Sequence, residues 1–234
     1  MKSLILVILL AGNASAMTLS GIRDDVRTLV VDNKLGGNAA RCRFTDAQLN
    51  GWINEGQAIA DAKAMCVYKR IRFDLSVGTT YYPLPDGYMM IRRVTRDSLA
   101  IQELSPAALD GRSAMWETTS GLPTYYFTNF STRSMIGFAP FPNMVVDTAT
   151  ISVEYIAYSP NMTLDAQVPF EGIKELSPYH PALSFYAAYK ASIVDERYDK
   201  AKVFMDSYSA LVDLMKTQCV NRINYLPSMI GKSQ

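Results

Sequence analysis

The period of the apolar residues changes twice along this chain, and that change limits the folds the chain can adopt. Up to about residue 70, apolar residues recur every three to four positions, as on one face of an α-helix. Between about 71 and 159 they fall in short runs that are typical of β-strands, and the helical period then returns. The sequence therefore predicts helices at both ends of the chain with strands inserted between them.

Two helices are predicted before the strands. The first covers residues 20–33 and has Ser20 as its N-cap. Thr45 and Gln48 open the second helix, because their spacing is that of a capping box, in which each side chain bonds the backbone amide of the other residue. Gly56 narrows the apolar face of this second helix, and we expect a neighbouring element to approach closely there.

The predicted strands lie in short runs rich in aromatic and β-branched residues, separated by Pro, Gly, Asp or Asn. The runs are TYYPLP, YMMIRRVTR, LAIQEL, TYYFTNF, SMIGFAPFP and ATISVEYIAY. The last is the clearest, because Ile151, Val153 and Tyr155 alternate with polar residues, as in a half-buried strand. Such runs favour a small antiparallel sandwich or barrel. A turn of helix and a loop carrying Trp116 are predicted between them.

Two further helices are predicted towards the C-terminus. The first begins at Pro181, a favourable first residue of a helix. Its apolar face is predicted to contain Leu183, Tyr186, Ala187, Lys190, Ile193 and Val194. The second follows a break at Arg197 and Tyr198 and carries a seam that suits packing on a nearly antiparallel partner. That seam consists of Ala201, Phe204, Tyr208, Leu211 and Met215.

Together these elements define an α+β fold. We expect residues 18–70 and 171–219 to form one helical bundle, because each helix pair alone has only one apolar face to bury. A small antiparallel β sandwich or barrel is predicted as an insert at 71–170. Residues 220–234 have no clear period and are predicted to form an extended C-terminal tail.

Catalytic and metal-binding patterns are missing from the sequence. The single histidine, His180, stands just before a predicted helix and is interpreted as structural, since a catalytic base needs a partner and an orienting group. One histidine and three scattered cysteines do not have the spacing of a common zinc site. Nucleotide-binding glycine loops and hydrolase motifs are also absent. The sequence therefore predicts a protein that is not an enzyme and that binds no metal or cofactor.

Charge is distributed unevenly. The whole chain has a net charge of +1, whereas residues 73–170 carry nine acidic and five basic residues. Two basic clusters stand out, one of Lys69, Arg70 and Arg72 and one of Arg92, Arg93 and Arg96. We interpret them as solvated faces or subunit contacts, with contact to nucleic-acid phosphates as the alternative.

Three segments carry a resemblance to a known family. They are FTDAQLNGWINEGQAIADAK, TYYPLPDGYMMIRRV and, above all, LSPYHPALSFYAAYKASIVDERYDKAKVFMDSYSALVDLMK. With these segments, residues 18–220 resemble the head-to-tail adaptor (connector) proteins of short-tailed bacteriophages. The matching positions in the last segment are Pro178, His180, Leu183, Tyr186, Ala187, Asp195, Ala201, Phe204 and Tyr208.

The resemblance implies a structural virion protein of the neck, assembled in the host cytoplasm. It implies a homo-oligomeric ring of about twelve copies that joins the portal protein to the tail nozzle or fibres. Genome DNA would pass through its channel without sequence-specific binding. The resemblance also implies that the C-terminal tail reaches along the portal, where Pro227 would keep it extended. The candidate anchors in that tail are Ile223, Tyr225, Leu226, Met229 and Ile230.

The N-terminal residues MKSLILVILLAGNASAM leave two interpretations open. Alone they have the charge, apolar run and small residues of a secretory signal, which would make the chain a secreted or periplasmic β-rich binding protein. An odd number of widely spaced cysteines favours a reducing compartment instead. We therefore interpret residues 1–17 as an apolar arm that packs on a neighbouring subunit, with Leu6, Ile8 and Leu9 as candidate interface residues. The apolar run is too short to span a bilayer, and no membrane partner is predicted.

Overall fold

The computed structural model of the chain describes residues 16–31, 43–113, 115–128, 134–143 and 150–224. In these residues the fold is mixed α+β, with helices on both sides of the strands, as predicted. The helices are α1 (Leu19–Val30), α2 (Asp46–Ala64), α3 (Pro106–Arg112), α4 (His180–Val194) and α5 (Tyr198–Asn224). The strands are β1 (Tyr68–Asp74), β2 (Tyr81–Pro83), β3 (Tyr88–Arg96), β4 (Leu99–Ala100), β5 (Gln102–Glu103), β6 (Tyr125–Thr128), β7 (Met135–Ala139) and β8 (Thr150–Ala157).

The chain divides into two compact units. One, the β unit, is Met65–Tyr158, and the other, the helical unit, contains the residues before and after it. Residues 159–170, which the sequence analysis places in the β insert, group with the helices, and β1 begins before the predicted start of the insert at 71.

The start of α1 differs from the prediction. Thr18, not Ser20, is the N-cap, and its Oγ1 accepts a hydrogen bond from the amide of Gly21 at 3.3 Å. Carbonyl groups from a distant part of the chain accept from the first amides of the helix, Leu19 to Gln167 at 2.8 Å and Ser20 to Asp165 at 3.2 Å. Because these tertiary bonds satisfy the amides of Leu19 and Ser20, the helix begins before Ser20.

The capping box and the close approach on α2 are both confirmed. The Thr45 amide donates to Oε1 of Gln48 at 2.9 Å, and the Gln48 amide donates to Oγ1 of Thr45 at 3.2 Å. A Cβ atom on Gly56 would lie 2.9 Å from the ring of Tyr186, and the Tyr208 hydroxyl donates to the Gly56 carbonyl at 2.9 Å. Aromatic residues of α4 and α5 therefore pack directly on the backbone of α2.

The predicted seam of α5 is largely confirmed, because Ala201, Tyr208 and Met215 are buried. The predicted face of α4 is wrong at its C-terminal end, where Ile193 and Val194 are 39% and 55% exposed. α1, α2 and α5 all pack against α4, so small residues are buried around most of its circumference. Apolar character alone therefore does not mark the buried side of α4.

α5 also continues to Asn224, five residues into the segment predicted to be extended. Neither glycine nor proline occurs between Tyr198 and Leu226 to end the helix.

The β unit contains two four-stranded sheets, ordered β1-β8-β3-β4 and β2-β7-β6-β5. In the described residues, every pairing between these strands is antiparallel except that of β5 with β6. The predicted alternation in β8 is confirmed, since Ile151 and Val153 are fully buried and Tyr155 is 5% exposed. Both sheets contribute to one core, which consists of Phe73, Leu75, Tyr82, Leu84, Val94, Ile101, Tyr126, Ile136, Phe138, Ile151 and Val153.

A smaller core lies under α3. Ser105 caps this helix by accepting from the amide of Ala108, as the predicted helical turn requires. The ring of Trp116 packs edge-on against Phe127 with centroids 5.1 Å apart, and its Nε1 donates to Asp110 at 2.7 Å. The predicted loop carrying Trp116 is thus anchored on β6.

The cysteines differ from the expectation of widely spaced free thiols. Cys66 is disulfide-bonded, as is Cys219, while Cys42 lies outside the described residues. Two of the three thiols on which the reducing-compartment argument depended are therefore oxidised.

Candidate interaction surfaces

The interface residues predicted from the sequence cannot be placed on a surface. Ile223 lies in the last turn of α5, beyond the last side chain that the structure describes. The others lie outside the described residues, and they are Leu6, Ile8, Leu9, Tyr225, Leu226, Met229 and Ile230. They remain predictions, and the surfaces of the described residues consist of other side chains.

Polar side chains of α2 hold the backbone of residues 159–170, which we call the return segment. Oδ2 of Asp61 accepts from the amide of Ser159 at 2.7 Å. One turn earlier, Gln57 donates from Nε2 to the carbonyl of Pro160 and accepts at Oε1 from the amide of Phe170, both at 3.1 Å. Both side chains are fully buried. They satisfy backbone groups that would otherwise be buried without partners.

Asn54 extends this row by one further turn. Its Oδ1 accepts from the amide of Met162 at 2.8 Å, and its Nδ2 donates to the carbonyl of the same residue at 3.0 Å. The return segment therefore runs back along α2, held by three side chains of that helix.

Two buried arginines of α1 add ion pairs to this network of hydrogen bonds. Arg23 binds Asp165 of the return segment at 2.6 Å, and Arg27 binds Asp46 at the start of α2 at 2.5 Å. Arg27 also donates to the carbonyl of Phe44 at 3.0 Å. These charge-assisted bonds connect α1 to the return segment and to the start of α2.

None of these residues is predicted from the sequence to have such a role. Their signal is a row of short polar side chains at positions i, i+3 and i+7 of α2, and a pair of arginines four residues apart on the apolar face of α1. Neither pattern alone distinguishes a buried polar row from a solvated helix face.

His180 is buried at the start of α4 and has a structural role. Its Nδ1 accepts from the backbone amide of Met17 at 3.1 Å, and its ring lies 6.0 Å from that of Phe170. Nε2 is buried with no hydrogen-bond partner in the described part of the chain. Burial lowers the pKa of His180 to about 4, so the imidazole is neutral at pH 7.

Acid is expected to destabilise the helical unit through His180. The unfolded chain binds a proton at His180 below pH 6.5, whereas the folded chain resists it until about pH 4. Stability therefore falls as the pH drops through this window, by about 3 kcal/mol for this one group. Urea unfolding at pH 7, 5.5 and 4.5 measures the loss.

His180→Asn is the matched control, because its Oδ1 can still accept from the Met17 amide but does not titrate. We expect its free energy of unfolding to fall less with pH than that of the unchanged protein. Parallel curves for the two proteins would contradict the role given to His180.

Exposed apolar residues mark a candidate protein-contacting surface on the helical unit. Val203 and Leu214 are 62% and 53% exposed and lie about three turns apart on the same side of α5. Exposed Ala210 falls between them on that side. Tyr198, at the start of α5, is 64% exposed. A line of apolar side chains in water is typical of a surface that another protein covers.

A basic surface lies on the outer face of the first sheet. β1 places Arg70 opposite Glu154 and Arg72 opposite Ser152, while β3 places Arg93 opposite Glu154 from the other side. Arg70 forms an ion pair with Glu154. Arg72 and Arg93 have no hydrogen-bond or ion-pair partner in the described part of the chain. Three arginines from the two predicted basic clusters thus meet on one face.

Other members of these clusters have different neighbours. Arg96 donates to the carbonyl of Pro123. Arg92 lies close enough to Tyr68 to lower the pKa of its hydroxyl, although burial outweighs this and the pKa is raised overall. The register of β3 shifts between Ile91 and Arg93, and this irregularity places Arg93 opposite Glu154.

Neither a metal-ligand group nor a membrane-spanning helix occurs in the described residues. No group of three or more His, Cys, Asp or Glu side chains there could hold a metal ion. No helix in the same residues is long and apolar enough to cross a membrane.

Comparison with protein-family models finds a match. A family model described as SU10 adaptor protein matches residues 17–224. No curated protein matches the chain.

Proposed function

Because the chain belongs to the SU10 adaptor protein family, it is a structural adaptor protein of a bacteriophage, and we propose that it assembles into a ring that joins the portal to the tail. The observation that carries this proposal is the family match, which extends over both units of the chain. It agrees with the resemblance to head-to-tail adaptors found in the sequence.

The helical unit is the part that we assign to contacts between copies and with the portal. Its helices are braced internally by buried hydrogen bonds, so it can present a fixed surface. Val203 and Leu214 supply apolar area on that surface. A head-to-tail contact between identical copies closes into a ring when its rotation divides a full turn, and about twelve copies is the number that we propose.

The two chain ends would add to these contacts. Leu6, Ile8 and Leu9 would pack on a neighbouring copy, because exposed aliphatic side chains in water favour association. The C-terminal residues from Ile223 to Ile230 would reach along the portal and anchor there through apolar side chains.

The β unit would contact the next tail component, a nozzle or fibre protein. The net acidic character of residues 73–170 suits a channel that does not retain DNA, since like charges repel phosphates. Genome DNA would therefore pass without sequence-specific binding, and the protein would act by assembly in the neck of the virion.

Electron microscopy of the purified full chain, alone and with its portal, tests the proposal. We expect closed rings in negative stain and a mass of many copies by light scattering. Val203→Glu combined with Leu214→Glu should abolish the rings, because charge on the apolar line of α5 prevents close packing.

Lys216→Glu is the matched control, since Lys216 is an exposed residue on the opposite side of the same helix. It should leave the rings intact. A protein that remains monomeric both alone and with the portal would contradict the ring.

A further inference from the structure

Within the described residues, one edge of the first sheet is long and has no partner strand. β1 lies at the end of the order β1-β8-β3-β4 and is seven residues long. The other edge strands of the two sheets are two or three residues long, and one of them, β2, ends in Pro83, which cannot donate a backbone hydrogen bond. β3 is also unpaired on its β4 side from Tyr88 to Arg93, but its register shifts twice there. β1 is therefore the longest regular open edge in the described residues.

The register shows which of these groups are open. The amide of Ala157 donates to the carbonyl of Val67 at 3.0 Å, and hydrogen-bonded pairs alternate along an antiparallel ladder. The backbone N–H and C=O groups of Lys69, Ile71 and Phe73 therefore form hydrogen bonds with β8. The alternate residues turn their N–H and C=O groups to the open edge, and these are Tyr68, Arg70, Arg72 and Asp74.

The same alternation places charge beside the open edge. Arg70 and Arg72 project to the outer face, where Arg93 joins them from β3. Ile71 and Phe73 lie on the opposite face, with the core. A strand added along β1 would thus meet Arg70 and Arg72 on one face, with Asp74 at the end of the row. On the other face it would meet Ile71 and Phe73 beside the half-buried Lys69.

We infer that β1 binds an extended acidic segment of another protein, which adds a strand to the first sheet. Only a polypeptide offers both acceptors for the open N–H groups and donors for the open carbonyls. Nucleic-acid phosphates accept but do not donate, so they satisfy the arginines and leave the carbonyls of β1 without partners.

The charge on β1 also selects against a second copy of this chain. Two β1 strands side by side would bring Lys69, Arg70 and Arg72 of each copy together, and basic residues on an edge oppose such pairing. Arg72 and Arg93 have no acidic partner of their own in the described residues, so carboxylates of a different protein can pair with them.

A synthetic peptide tests the inference on the full chain. The probe is fluorescein-labelled Glu-Val-Glu-Val-Glu-Val-Glu, whose glutamates would face Arg70 and Arg72 and whose valines would extend the apolar face. We expect a saturable rise in fluorescence anisotropy and slower hydrogen exchange at the open amides of Arg70 and Arg72. Arg72→Glu should weaken binding by about tenfold or more, and Arg72→Lys by much less.

Two control peptides and a DNA competitor separate strand addition from simple charge attraction. The peptide N-methylated on the residues that face β1 keeps its charge and loses its donors, and should bind at least about tenfold more weakly. The lysine version of the peptide should not bind. Equal binding of the N-methylated peptide, no binding of the parent peptide, or its displacement by a short DNA duplex would each overturn the inference.

The inference depends on the proposed function only for the partner's identity as a tail protein. Rings are scored in the same preparations. Intact rings that do not bind the peptide would reject strand addition alone, whereas peptide binding to a monomeric chain would reject only the ring.

Discussion

Replacing Gly137 with alanine is expected to lower the free energy of unfolding of the β unit by about 3 kcal/mol. Gly137 on β7 stands directly opposite Phe127 on β6, and the Phe127 ring covers the place where a side chain would stand. A Cβ atom on residue 137 would lie 2.3 Å from Cζ of that ring. Either the ring or the strand would have to move.

The ring of Phe127 has little freedom to move. It is fully buried, and Trp116 and Tyr81 pack edge-on against it, with centroids 5.1 and 5.7 Å away. Overpacking of a well-filled core typically costs 1–3 kcal/mol, and a ring held on two sides places this site near the upper end, at about 3. A glycine covered by an aromatic ring across the strand pair is also a known device of sheet packing.

Guanidinium unfolding followed by tryptophan fluorescence measures this effect. Gly111→Ala is the matched control in the same unit, because a Cβ there meets nothing within 4 Å and alanine favours the helix α3. Phe127→Leu should recover part of the loss when combined with Gly137→Ala, since it removes the clashing ring atoms. A Gly137→Ala protein within about 0.5 kcal/mol of the unchanged one would contradict the packing described.

The features that were predictable from the sequence are those fixed by neighbours along the chain. The capping box at Thr45 and Gln48 needs only three residues, and the alternation of β8 needs only its own eight. Gly56 was also predictable, because a glycine on an apolar helix face has few other uses. These are local rules, and the overall α+β order follows from them.

The remaining features depend on partners that are far away in sequence. Arg72 and Arg93 meet because β8 lies between their strands, and no local pattern specifies that order. β1 itself was missed as a strand because its exposed face is basic, although Ile71 and Phe73 alternate correctly. The apolar character of Ile193 and Val194 predicts that they are buried, but both side chains are exposed in the structure.

The polar row of α2 shows the same limit most clearly. Asn54, Gln57 and Asp61 would suit a solvated helix face in any sequence-based interpretation. They are instead bound to the return segment, more than 90 residues later in the chain. Their partners are backbone groups, which carry no sequence signal, so only the tertiary fold reveals them.

Replacing Gln57 with methionine is expected to produce the largest loss of stability in the helical unit, about 4 kcal/mol. Methionine matches the length and shape of glutamine, so little packing is lost. The substitution leaves the carbonyl of Pro160 and the amide of Phe170 without their hydrogen-bond partner, and each orphaned buried group costs about 1–3 kcal/mol.

The backbone of Phe170 adds to this expectation. Its φ angle is +52°, a left-handed conformation that a bulky residue adopts at a cost of about 1–2 kcal/mol. The bond from its amide to Gln57 holds it in place, and the fully buried ring fixes the other end. Without that bond the segment around Phe170 is expected to relax towards a right-handed conformation.

Two measurements check the Gln57→Met prediction, and Lys63→Met controls for methionine in the same helix, because Lys63 is exposed. The free energy of unfolding should fall, and hydrogen exchange at the Phe170 amide should accelerate. Asn54→Ala combined with Gln57→Met should cost less than the two single losses added together, because both side chains hold one segment that detaches only once. Additive losses of unfolding free energy would show that Asn54 and Gln57 hold the return segment independently. An unchanged rate of hydrogen exchange at the Phe170 amide would show that Gln57 does not hold that residue.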